Sequence, residues 1–165
     1  MKTIYLLRHA KSSRDDTTLD DFERPLNNKG RESLVIMGKL LNDLDVMPDI
    51  IISSPASRAA MTARAIASKI HYPLDKISYR EALYLSEKDI LIEEIKNIKN
   101  TFKSVMVVGH NPGITDLANF LGDKKIDDIP TCGLCSIEFA LRSWKDIDGH
   151  SGRIKFIEYP KKQRN

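Results

Sequence analysis

The chain has 165 residues, 41% of them hydrophobic and 30% charged, which is ordinary for a globular protein and enough for one sizeable core. A formal charge of +3, with basic and acidic residues interleaved, argues against nucleic acid as a partner. No apolar run approaches the roughly 18 residues of a membrane span and the N-terminus lacks signal-peptide features, so the expectation is one cytoplasmic domain over 1–165 without a membrane partner.

An apolar run at residues 4–7 predicts a strand over about 3–7, ending at Arg8-His9. The polar stretch 11–21 reads as a surface loop. Leu34, Met37, Leu40, Leu41 and Leu44 recur at three- and four-residue spacing, which predicts a helix over about 29–44 capped by Asn28. Ile50-Ile51-Ile52 reads as a buried strand. Ser54-Pro55 then reads as a cap followed by proline at the first position of a helix over about 55–70. A short strand over 77–79 precedes Glu81. Ser86-Glu87-Lys88-Asp89 resembles a capping box that opens a helix with Leu91, Ile95 and Ile98 inward.

The run 105–109 predicts a strand ending at His110. Asn111-Pro112-Gly113 turns the chain into a short helix ending near Leu121, and 123–130 reads as a polar loop. Two late strands, about 134–141 and 153–159, form a hairpin around Asp148-Gly149. Strands alternating with helices imply an α/β fold: a three-layer α/β/α sandwich with a mostly parallel central sheet and a C-terminal hairpin.

In such a sheet ligands bind at the carboxyl ends of the strands, so residues a hundred positions apart can meet there. Arg8, His9, Arg58 and His110 all follow predicted strands and could converge on one edge. Arg58 falls in the first turn of its helix, where a cation opposes the helix dipole unless an anion is present. Two histidines and two guanidiniums would suit a dianion, and the nearby cations should hold the His9 pKa below its ordinary value.

Other chemistries find less support. Cys132 and Cys135 form a lone C-x-x-C, too few ligands for structural zinc, and neither is followed by the arginine of a C-x5-R phosphatase loop. They read as buried structural thiols. Asp146-Ile147-Asp148 follows no apolar strand and reads as a turn. There is no G-x-x-x-x-G-K-[ST] loop and no His and carboxylate cluster, so neither metal nor cofactor is expected. His71 and His150 read as structural or solvent-exposed, and the terminal Lys161-Lys162-Gln163-Arg164 as a solvated tail.

Four segments together carry a resemblance: Leu6-Leu7-Arg8-His9-Ala10-Lys11-Ser12, Asp21-Phe22-Glu23-Arg24-Pro25-Leu26, Ser53-Ser54-Pro55-Ala56-Ser57-Arg58-Ala59 and Val108-Gly109-His110-Asn111-Pro112-Gly113. In order and spacing they resemble the histidine phosphatase superfamily, with its phosphoglycerate mutase-like fold, and most closely its SixA-like phosphohistidine phosphatase branch. The resemblance implies a metal-independent phosphatase in which His9 is the nucleophile, Arg8 and Arg58 clamp phosphate and His110 is a second donor. Ala10 stands where the family usually has glycine. Larger relatives place a glutamate general acid after the helix of the second arginine, and Glu81 is the nearest candidate. Lys11 and Ser12 are candidate substrate contacts, and Arg24 is expected to order the loop. The implied partner is a protein carrying phosphohistidine or a small phosphomonoester. A mutase is disfavoured because the chain lacks the insertions that would shield a phosphoenzyme, while a non-catalytic phosphoprotein sensor using the same pocket stays open, and a monomer is expected.

Overall fold

Apolar side chains that alternate along a strand face opposite sides of a sheet, and this chain uses that alternation to build two cores. The computed structural model describes residues 1–164. In β1 (Lys2–Arg8) Ile4 and Leu6 pack on one face and Leu7 on the other; in β4 (Ser104–Gly109) Val105 and Val107 oppose Met106 and Val108. The strands β1, β2 (Ile50–Ser53), β3 (Ser78–Tyr79), β4, β5 (Leu134–Phe139) and β6 (Gly152–Glu158) form one sheet in the order β3-β2-β4-β1-β5-β6. β3, β2, β4 and β1 run parallel, and β5 is antiparallel to both β1 and β6.

Helices α1 (Asn28–Asp43) and α2 (Ser57–Lys69) cover one face, burying Met37, Leu41, Ala63 and Ile66. On the other face α3 (Lys88–Lys96) and α4 (Gly113–Leu121) bury Leu91, Ile95, Leu117 and Leu121. A short α5 (Pro160–Arg164) follows β6, so the terminal basic run begins as helix, with Lys162 paired to Glu158 at 3.6 Å. The three layers and the antiparallel C-terminal pair agree with the sequence expectation. No helix among the described residues is long and apolar enough to cross a membrane.

Several boundaries differ from the reading of the sequence. Asn27, not Asn28, caps α1, its Oδ1 accepting from Gly30 N at 2.8 Å. Helix α2 begins at Ser57 rather than Pro55, because Ser54 still extends the sheet through its N–H to the Val108 carbonyl at 3.0 Å. At α3 the expected capping box is absent: Glu87 is the cap residue, without a side-chain bond, and the Ser86 hydroxyl is buried unpaired. Ile98 lies beyond that helix but is still buried. Strand β5 stops at Phe139, two residues short of the expected end. Cys132 and Cys135 are unbonded thiols in opposite cores, and burial pushes both up to about 12.

Candidate active site

Backbone pairing brings the two histidines together. Arg8 pairs with Gly109 across the parallel β1 and β4, so the next residue on each strand is a histidine at the carboxyl edge of the sheet. The His9 N–H donates to the Gly109 carbonyl at 3.1 Å, and the Cys132 N–H donates to the carbonyls of Arg8 and His9 at 3.1 and 3.0 Å. The ring centroids of His9 and His110 are 5.2 Å apart.

The backbone beyond His9 is held from beneath by Thr62 of α2. Its hydroxyl accepts from Ala10 N at 2.9 Å and donates to the Arg58 carbonyl at 2.7 Å, coupling the turn after β1 to the helix that carries Arg58. On the far side Arg24 donates to the Ser12 hydroxyl at 3.0 Å, and Asn27 donates to the Ser12 carbonyl at 3.3 Å. Arg24 therefore orders the loop, as expected, and it also lines the pocket.

His9 Nδ1 lies 2.7 Å from the Ala10 carbonyl, an acceptor, so the proton sits on Nδ1 and the lone pair on Nε2. His110 Nε2 lies 2.8 Å from the Ser54 hydroxyl. Both rings are depressed from their ordinary value, His9 to about 4 and His110 to about 3. Burial is the larger cause for each; for His9 the charges of Arg58, Arg8 and Arg24 add to it, so the cations expected from the sequence act behind desolvation. Both rings are neutral at pH 7.

The pocket around them has a volume of about 350 Å³. It is lined by Arg8, Lys11, Arg14, Arg24 and Arg58, with Asp21 as its one carboxylate. Arg58 is 2% exposed and is held by Asp21, Nη2 to Oδ2 at 2.9 Å and Nη1 to the carbonyl at 2.6 Å. Arg8 Nη1 donates to the Ile129 carbonyl at 2.9 Å, with Asp128 at 3.6 Å. Among the described residues, the buried side-chain nitrogens and oxygens without a partner are Arg8 Nε, Arg58 Nε, His110 Nδ1 and Ser86 Oγ. Three of these four belong to pocket residues. Buried polar groups are nearly always paired, so three orphaned nitrogens around one basic cavity make it a candidate anion site.

Of the residues singled out in the sequence, Arg8, His9, Lys11, Ser12, Arg58 and His110 all line this pocket. Glu81 does not. It is exposed at the start of a single 3-10 turn, where its carbonyl accepts from Tyr84 N at 3.0 Å. That turn sends Tyr84 inward instead: its hydroxyl donates to Asp21 Oδ2 at 2.6 Å and its ring meets His110 edge-on at 5.5 Å. Hydrogen bonds from Tyr84, then from Arg58 and Arg24, hold the Asp21 carboxyl well below the usual carboxylate range. Sequence reasoning missed Asp21, Tyr84, Ser54 and Thr62 as site residues. Asp21, three residues before Arg24, carried a faint signal, whereas Tyr84 and Thr62 carried none. No group of three or more metal-ligating side chains occurs among the described residues.

Residues 4–83 match the family model of the histidine phosphatase superfamily (branch 1). An uncharacterized protein of Mycobacterium tuberculosis is 30% identical over 154 residues, covering 86% of this chain and 92% of the relative. Among solved structures, a protein of Agrobacterium tumefaciens assigned as the phosphohistidine phosphatase SixA is 27% identical with a TM-score of 0.82, over 96% of this chain and 98% of that one. The protein histidine phosphatase SixA complexed with tungstate shares the fold, with a TM-score of 0.83 at 18% identity over 97% and 98% of the two chains.

Proposed function

The chain belongs to the histidine phosphatase superfamily, in its SixA-like branch, and from that premise we propose that it removes phosphate from phosphohistidine on proteins through a covalent intermediate on His9. The observation that carries the proposal is the set of unpaired nitrogens on Arg8, Arg58 and His110 around a pocket whose floor is a neutral imidazole.

The geometry supports these steps. His9 Nε2, with its lone pair free because Nδ1–H is committed to Ala10, attacks phosphorus as the bond to the substrate nitrogen breaks. The departing imidazole takes up a proton from solvent. Arg8 and Arg58 hold phosphoryl oxygens, and His110 donates to another; phosphoryl transfer needs this positioning and charge stabilisation more than further covalent chemistry. Water then attacks phosphorus, the Nε2–P bond breaks, and inorganic phosphate leaves. No metal enters these steps.

The pocket's carboxylate favours phosphohistidine over alkyl monoesters. Asp21 is held ionised by Tyr84 and two arginines and has no proton to give, while Glu81 stands outside. An alkoxide needs a general acid to leave, whereas a phosphorylated imidazole can take a proton from solvent on its other ring nitrogen near neutrality and leave as neutral imidazole.

The test is phosphate release, in EDTA, from a protein phosphorylated on histidine and from a simple alkyl phosphomonoester. The native protein should release phosphate from the first far faster than from the second, and His9→Ala should abolish it. Equal release from both would move the assignment to a broad phosphomonoesterase. A stable complex without turnover would make the protein a sensor.

A further inference from the structure

Next to the phosphate pocket lies a second cavity of about 280 Å³, and the two share Lys11 and Thr131 as a common wall. The second cavity is also lined by Lys29, Tyr159 and Lys161, and no carboxylate lines it. Resting on the function proposed above, we propose that this cavity is a docking subsite for an acidic segment of the phosphoprotein substrate, which lies across the lysines while its phosphohistidine enters the pocket.

The fold forces these charges together. Gly30 is in the first turn of α1, and a Cβ there would stand 2.2 Å from the Lys11 carbonyl. That same carbonyl accepts from Asn27 N at 3.0 Å. Only a glycine lets the start of the helix lie this close, and the contact sets Lys29 beside Lys11 at the rim shared by the two cavities. Lys11, Lys29 and Lys161 are exposed, and none makes an ion pair among the described residues. The first turn of α1 holds Lys29 and Arg31 and no acidic residue, so cations stand at the positive end of the helix dipole, an arrangement that disfavours folding unless negative charge is near. Arg14, on the phosphate pocket, is likewise exposed and without an ion pair.

A small phosphate ester is held by the first pocket alone and gains nothing from the second. A polypeptide reaches both. Lysines are compact, mobile point charges that attract carboxylates in many poses, which suits an acidic chain segment better than one rigid ligand. With a net charge of only +3 for the whole molecule, this rim is a local feature and not part of a general basic surface.

The experiment compares an acidic protein phosphorylated on histidine with free phosphohistidine, using native protein and the double variant Lys29→Glu, Lys161→Glu. For the protein substrate the charge reversal should raise KM on the order of tenfold, while turnover of free phosphohistidine should stay within about twofold. The double arginine variant at the same positions should retain native KM. A glutamate decapeptide, added to native enzyme, should inhibit dephosphorylation of the protein and leave free phosphohistidine untouched, a readout independent of any variant. An unchanged KM for the protein, or equal losses on both substrates, would overturn the docking subsite. Native protein inactive toward both substrates would refute the phosphatase reading instead.

Discussion

Lowering the pH from 8 to 5 should destabilise this protein through its two site histidines. Above about pH 6.5 an imidazole is neutral in folded and unfolded chains alike, and its titration contributes no difference. Below that value the unfolded chain takes up protons that the folded chain refuses until about pH 4 at His9 and about pH 3 at His110. Stability is therefore lost as pH falls through this window, and the loss saturates below the folded values. At pH 5 the unfolded rings are mostly charged and the folded rings neutral, a difference of about 2 kcal/mol for each ring and about 4 kcal/mol together. Domains of this size commonly have about 5 to 15 kcal/mol in total, so the effect is large. The carboxyls of Asp21, Asp16 and Asp123, all depressed, act below this range, and the raised thiols of Cys132 and Cys135 act above it. Urea unfolding at pH 8 and pH 5, in phosphate-free buffer, measures the difference, and His9→Gln or His110→Asn should each remove about half of it. A native protein equally stable at both values, or variants with the native pH dependence, would refute the claim that both rings are buried neutral.

Thr62→Val should leave the buried Ala10 N–H without its acceptor, costing about 1 to 3 kcal/mol in urea unfolding, whereas Thr62→Ser should stay close to native. The valine variant should also lose kcat/KM, since the same hydroxyl ties Ala10 to the helix of Arg58. Glu81→Gln should leave phosphate release unchanged on phosphohistidine and on monoesters, because this side chain lies outside the pocket; a tenfold loss on either would restore it as an acid.

The legible part of this site was the part written in strand ends. Arg8, His9 and His110 follow apolar runs directly, and Arg58 follows one by a short turn, so the parallel sheet alone places them at one edge. What the sequence concealed were contacts between segments far apart in the chain. Tyr84 reaches Asp21 across 63 residues, and nothing in either neighbourhood announces the pairing. Ser54 reads locally as a helix cap, yet the register beside β4 sets it against His110. Glu81 illustrates the reverse: its place in the chain suggested an acid, but the 3-10 turn that it opens exposes it and buries Leu83. The His9 pKa followed the expected direction for a reason only partly foreseen, because how deeply a ring is buried cannot be counted from neighbouring charges.

The pairing of Arg8 with Gly109 makes the spacing of the two imidazoles a property of the main chain. Substitutions that reshape the side chains behind β1 and β4 can cost stability and still leave the rings facing each other. Inserting or deleting one residue within β4 would do the opposite, since the step between parallel strands would carry His110 to the other face of the sheet while His9 stayed in place. The active centre should therefore tolerate drift in composition over long divergence and be intolerant of any change in strand length.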